Sequence, residues 1–334
     1  MKRIILILIC LALMLFPVAC GSPDSVESPN PSSALSVTPA DFTVAGLKGP
    51  TSIGLAHLQK AAEQGTTFNR YTFSLYGAPD ELVGRLVKGE VDFAALPTNL
   101  AASLYQKTKG DIQVLAVNTY GVLSILENGT SISSFSDLKG KTVYSTGEGA
   151  NPEYVLRYLL TENGLDPDKD VVLKFVSSNQ DLAGLLMSGK ADVALTPEPV
   201  ATTVLTKNDK IRRAIDLTAA WEEVAPESGL LMGCLVVSAK TLDEKPDAVR
   251  AFFTEYQTSV QAVSDTAETA LLCEKYGIIE SAAIAEKAIP NCHIGFLSGA
   301  EMKTKLTGYL QVLFEADPSS VGGSMPGEDF CYVD

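Results

Sequence analysis

Residues 80–97 read DELVGRLVKGEVDFAALP, and residues 180–197 read QDLAGLLMSGKADVALTP. Leu82 and Leu182, Gly84 and Gly184, Gly89 and Gly189, Asp92 and Asp192, Ala94 and Ala194, and Pro97 and Pro197 stand 100 positions apart (182 − 82). In the first copy Leu82, Val83, Leu86 and Val87 form an apolar stripe at helical spacing, with Glu81, Arg85 and Lys88 opposite. A glycine placed to end the helix, a short apolar strand and a proline-containing loop follow in both copies. The duplication predicts two related lobes facing each other across a cleft, with function in the loops that face it.

Outward from the repeat, strands are expected at 42–47, 70–76, 91–96 and 112–117, then again at 141–144, 171–176, 191–195 and about 214–217. Helical stretches separate them, which implies right-handed βαβ units and largely parallel sheets. An apolar strand at 230–237 is placed to cross back, and helices at 246–263, 266–276, 281–288 and 298–315 complete the chain. The expected fold is α/β: two Rossmann-like lobes joined by a two-segment hinge, with a helical C-terminal region packed on lobe 1. Lobe 1 takes 42–125 plus 230–334 and lobe 2 takes 126–229. A discontinuous domain on a two-strand hinge suits closure around a ligand.

The chain has 334 residues and a net charge of −14. That length holds two domains with real cores. The acidic balance, without any basic run, argues against nucleic acid as a partner, since phosphate neutralisation needs clustered Lys and Arg. At the N-terminus Lys2 and Arg3 precede an apolar run at 4–16, so 1–19 reads as a signal peptide, too short for a secure membrane span. Residues 20–41 are rich in Ser, Pro and Asn and read as a flexible linker. Beyond Cys10 and Cys20 four cysteines remain, and four allow three pairings. Cys273 and Cys292 flank a short helical hairpin and are the favoured disulfide, with Cys234–Cys331 as a second and four free thiols as the alternative. Neither a CxxC nor a Cys/His spacing suggests a metal.

Pro17-Val18-Ala19-Cys20-Gly21 resembles the lipobox of bacterial lipoproteins, with Pro17 where that motif usually carries leucine. Taken with the two-lobed repeat, the duplicated Gly–x–x–Asp–x–Ala element and the helical C-terminus, residues 42–315 resemble a solute-binding lipoprotein of an ABC importer. More narrowly, they are similar to the nitrate/sulfonate/taurine/thiamine-pyrimidine-precursor group of type II periplasmic binding proteins. The resemblance implies a monomer, anchored through lipidated Cys20 at the outer face of a bacterial membrane or in the periplasm. It also implies a small organic solute and an ABC permease with its ATPase as partners, no cofactor and no enzyme activity.

In that family the ligand meets the loops after the first and third strands of each lobe, plus the first crossing. Here those loops supply Gly49, Pro50, Thr51 and Ser52; Pro97, Thr98 and Asn99; Asn118, Thr119 and Tyr120; 146–151 with Glu148, Gly149 and Asn151; and Thr196, Pro197, Glu198 and Pro199. Physics agrees, because ligands of open α/β sheets sit at strand C-termini beside helix N-termini. Tyr120 either stacks on a flat ligand or packs, and Asn99 and Asn151 either offer amides or cap helices. Glu148 and Glu198 in candidate cleft loops argue against small inorganic anions and for a neutral or amine-bearing organic solute. His57 and His293 are the only histidines, and no nucleophile–base spacing is legible. Two alternatives stand: the binding lobe of a membrane-anchored sensor, and an enzyme using Glu148 and Glu198 as an acid/base pair.

Overall fold

The structure is a computed structural model that describes residues 38–333. The expected leader, lipobox and Cys20, and the linker before residue 38, lie outside the described residues. Among the described residues, eleven strands and twelve α-helices follow in chain order. The first half runs β1 (Asp41–Leu47), a 3₁₀ turn, α1 (Ala56–Glu63), β2 (Arg70–Tyr76), α2 (Pro79–Val87), β3 (Phe93–Pro97), α3 (Thr98–Thr108) and β4 (Ile112–Thr119). Then come β5 (Leu123–Asn128), β6 (Thr142–Ser145), α4 (Asn151–Glu162), β7 (Val172–Phe175), α5 (Asn179–Met187), β8 (Val193–Pro197), α6 (Val200–Lys207), β9 (Ile211–Asp216) and α7 (Leu217–Val224). The chain closes with β10 (Gly233–Ser238), α8 (Ala239–Glu244), α9 (Pro246–Ala262), α10 (Thr266–Lys275), α11 (Ala282–Ala288), β11 (Ile294–Leu297) and α12 (Gly299–Ala316).

The strands form a six-stranded sheet, β11-β4-β10-β3-β1-β2, and a five-stranded sheet, β7-β6-β8-β5-β9. Read from β2 and from β7, both follow one order: second strand, first, third, an incomer, fourth. The incomer is the strand that has just crossed from the other sheet. β10 runs antiparallel to β3 and β4, and β5 runs antiparallel to β8 and β9. Both sheets are parallel among β1, β2 and β3 and among β6, β7 and β8, as the βαβ reading requires.

The repeat keeps its 100-residue offset in space: α2 starts at Pro79 and α5 at Asn179, and β3 and β8 end at Pro97 and Pro197. Leu82 and Leu182 are both fully buried. Truncating either to alanine would cost roughly 2–5 kcal/mol. Gly89 and Gly189 both have φ of 69°, and a Cβ at Gly89 would touch nothing. The backbone angle, not space, demands glycine there. The paired aspartates diverge. Asp92 accepts the Thr43 N–H at 2.8 Å and the Thr241 hydroxyl at 2.7 Å, whereas Asp192 is exposed.

Three features differ from the sequence reading. β5 belongs wholly to the second sheet, so the first crossing is residues 120–122, ahead of the expected break after 125. The apolar run at 230–237 pairs only from Gly233, because Leu230, Leu231 and Met232 form the return crossing. The C-terminal region also holds α8 and β11, too short to show periodicity. Its α9 packs on the first sheet, where Phe252 stacks on Phe93 at 3.6 Å between centroids. Its α12 also touches α4 of the second half.

Candidate functional site

Gly233 lies opposite both Pro97 and Thr119, and Leu123 lies opposite Pro197, so the ends of β3 and β8 meet at the crossings. A Cβ on Gly233 would stand 2.8 Å from Thr51 Cγ2 and 2.9 Å from Asn118 Oδ1, so glycine lets these strands close up. Around this point Ser52, Thr98, Asn99, Asn118, Thr119, Asn151, Thr196 and Glu198 are all buried, none more than 8% exposed. Eight polar residues drawn from both halves are thus shut away from water, a costly arrangement unless they are hydrogen-bonded.

Most of them hold the loops. Ser52 donates to the Leu47 carbonyl at 2.6 Å and closes the turn after β1. Asn118 donates to the Thr51 carbonyl at 3.0 Å and to the Tyr256 hydroxyl at 2.9 Å, while its own Oδ1 accepts from Thr119 at 2.9 Å. That ties the first loop to the first crossing. Burial pushes the Tyr256 hydroxyl well above its ordinary range, so it stays a phenol. Thr98 donates through its amide to Met232 O at 3.2 Å and through Oγ1 to Leu231 O at 2.6 Å. From the second half, Asn151 donates to the same Met232 carbonyl at 3.5 Å and accepts from the Tyr309 hydroxyl at 3.3 Å. The return crossing is therefore shared by a residue from each half.

Asn99 and Asn151 do not cap: α3 and α4 take Pro97 and Ala150 as N-caps, with no side-chain cap bond. Asn99 points instead to the Ser320 carbonyl at 3.4 Å. The Tyr120 ring packs on backbone, its Cε2 lying 2.6 Å from where a Cβ on Gly295 would be. Thr196 makes one long bond, to the Ala194 carbonyl at 3.4 Å.

The two glutamates have different surroundings. Glu148 and Gly149 are exposed on the turn before α4, where the Gly149 amide donates to Glu153 Oε2 at 2.8 Å. Glu198 is buried, but Arg213 on β9 donates to its Oε1 at 2.6 Å and the Thr202 amide to its Oε2 at 3.1 Å. Arg213 also donates to Ser124 Oγ. The carboxylate is neutralised inside the second half, so the cluster carries no net negative charge. Sequence reading missed Arg213, Tyr309 and Met232. Only Arg213 left a trace, as one of two adjacent arginines inside the apolar run 211–215.

The expected disulfides are also corrected. Cys234, Cys273, Cys292 and Cys331 are buried free thiols. Burial pushes Cys273 and Cys331 to about 12. It also raises Cys292 well above the ordinary thiol range, with Glu198 and then Cys273 adding to the effect. The apolar packing that hides them keeps them protonated and unreactive.

Beside the cluster, a cavity of about 690 Å³ opens between α4 and the end of α12, lined by Tyr154, Arg157, Tyr158, Val312 and Glu315. Gly149 is its one contribution from the expected loops. Arg157 is held there by Glu153 and Asp168, both at 2.7 Å. Among the described residues no group of three or more His, Cys, Asp or Glu is placed to hold a metal ion, and no helix is long and apolar enough to cross a membrane.

The family described as "ABC transporter, phosphonate, periplasmic substrate-binding protein" matches residues 53–285. Among solved structures, an ABC transporter from Parabacteroides distasonis is 27% identical, with a TM-score of 0.73 over 87% of this chain and 98% of that one. The periplasmic aliphatic sulphonate binding protein SsuA from Escherichia coli is 15% identical, with a TM-score of 0.69 over 87% of this chain and 94% of that one. The periplasmic nitrate-binding protein NrtA from Synechocystis PCC 6803 is 13% identical, with a TM-score of 0.59 over 84% of each chain. These last two are similar in fold. No curated protein matches the sequence.

Proposed function

We infer the ligand and its capture from one premise: this chain belongs to the phosphonate periplasmic substrate-binding family of ABC transporters, and is the extracytoplasmic solute-binding component of an importer. The two sheets with their helices act as lobes, residues 42–125 with 230–334 and residues 126–229, adjusted to the crossing at 120–122. Closure of one on the other traps the solute, and the closed form is presented to a permease driven by its ATPase. The tether is lipidated Cys20 after signal-peptide removal, and the protein works as a monomer.

The solute is a small organic molecule whose polar head bears acceptor oxygens, such as an organic sulfonate or phosphonate. One observation carries this reading: the buried polar residues drawn from both halves onto the crossings are uncharged except for Glu198, and Arg213 neutralises that one. The first turns of α3 and α6 add backbone N–H groups beyond those of Thr98 and Thr202, which Met232 and Glu198 already take, and these suit an oxyanion without any lysine or arginine in contact. The expected contacts are Gly49, Pro50, Thr51, Ser52, Pro97, Thr98, Asn99, Asn151 and Thr196. Glu148, Gly149, Tyr120 and Glu198 act at the rim or as supports.

A thermal-shift screen of protein stripped by unfolding and refolding tests the class, using alkyl sulfonates, alkyl phosphonates, nitrate and cationic amines. One of the first two sets should raise Tm by several degrees at millimolar concentration. A rise with amines alone would reverse the reading.

A further inference from the structure

We infer that His293 is a positioning residue for solute capture: it clamps residues 120–121 of the first crossing to the first sheet, so that closure turns between Gly121 and Val122. This rests on the closure reading above. The His293 carbonyl accepts the Tyr120 amide at 3.2 Å, and its Nδ1 lies 2.6 Å from the Gly121 carbonyl. A carbonyl only accepts, so Nδ1 carries the proton in this contact. One residue thus grips two consecutive residues of the crossing. To do so His293 takes φ of 46°, a left-handed conformation that few side chains other than Asn, Asp and His adopt. Beside it β11 pairs Ile294 with Thr119, and the Tyr120 ring lies on the bare backbone of Gly295.

On the other side the contact is of a different kind. Thr218 of α7, in the second half, places Oγ1 1.9 Å from where a Cβ on Gly121 would be, and Leu230 Cδ2 stands 3.0 Å from it. That Thr218 hydroxyl is buried and makes no hydrogen bond. The second half therefore touches Gly121 without holding it, and such a surface can slide where a hydrogen-bonded one cannot. One residue further on, the Val122 carbonyl accepts the Glu198 amide at 2.9 Å, and the chain is fastened to the second sheet. Attachment changes sides across a single bond, the one between Gly121 and Val122. Gly121 is the bare surface that lets Thr218 pass.

Hydrogen exchange on the full chain, without added solute, tests the clamp in H293A and H293N. Alanine loses the ring donor and is strained at this φ, whereas asparagine tolerates it and carries an amide donor at a similar reach. The Tyr120 amide should exchange about tenfold faster in H293A, the size expected for loss of one hydrogen-bonded attachment. Amides of β1 should be unchanged, and H293N should restore protection. Equal protection of Tyr120 in H293A overturns the clamp, as do loosening spread equally through β1 and a failure of asparagine to rescue. Small-angle scattering of the wild type as purified, and again after unfolding, dialysis and refolding, measures closure itself. A single profile throughout overturns closure and the pivot with it. A wild type that changes shape while Tyr120 stays protected in H293A overturns the clamp alone.

Discussion

Arg213 offers a sharp test of how the second half is held together next to the crossings. The Glu198 side chain is 0% exposed and its partner Arg213 is 25% exposed, so the two ends of this ion pair are not equivalent. In R213M the carboxylate stays buried with only the Thr202 amide to satisfy it. Leaving one member of a buried pair uncompensated costs about 3–5 kcal/mol. In E198Q the cation keeps Ser124 Oγ and reaches water, and glutamine can still accept, so the loss should be about 1–2 kcal/mol. The double variant E198Q/R213M removes both charges and should fall short of the summed single losses by about 2 kcal/mol, as contacting residues do. Urea unfolding of stripped protein followed by circular dichroism measures all three. Equal single losses, or strict additivity, would refute the claim that Arg213 serves chiefly to neutralise a buried glutamate.

Other outcomes follow from the same structure. Iodoacetamide should leave Cys234, Cys273, Cys292 and Cys331 unmodified in the native protein and modify all four in urea without reductant, as peptide mapping will show; a need for reductant would restore the disulfides. His57, whose Nε2 lies 2.8 Å from Thr269 Oγ1, has its pKa lowered from 6.5, first by burial, against an opposing pull from Glu268. The fold thus favours neutral His57, and its contribution is complete above the unfolded value of about 6.5 and lost as pH falls through the lower folded value. Between pH 7 and 5, Tm should accordingly drop further in the wild type than in H57Q. Trp221 is the single tryptophan and fully buried, 5.3 Å from Tyr309 across the two halves, so solute binding should change its emission; a silent Trp221 would mean that α7 and α12 do not part.

The scaffold was legible because it is written in local patterns. Gly89 and Gly189 mark helix ends by backbone angle, and the offset between copies survives folding because both copies build the same unit. Of the two incomers, β10 was legible as a strand but not as an antiparallel one, and β5 was not read as a strand at all, since pairing and direction depend on where the chain has been. The candidate site was legible as loops and not as contacts. Its position follows from strand ends, so Thr98, Asn118 and Asn151 could be named. Whether a side chain turns inward depends on distant partners: Glu198 meets Arg213, 15 residues on and on strand β9, while Glu148 finds none and stands exposed. The cysteines misled for a related reason, because an even count says nothing of how deeply apolar packing buries each thiol.

The claim that matters most is that the two halves close on a small organic solute beside the shared Met232 carbonyl. Native mass spectrometry of the protein purified without unfolding tests it directly, with N151A as comparison. The wild type should carry one additional organic molecule, released on denaturation, and N151A should have lost most of it. Wild-type protein that carries no added mass and gains none from alkyl sulfonates or phosphonates would contradict the account, as would an N151A variant that holds its solute as firmly as the wild type.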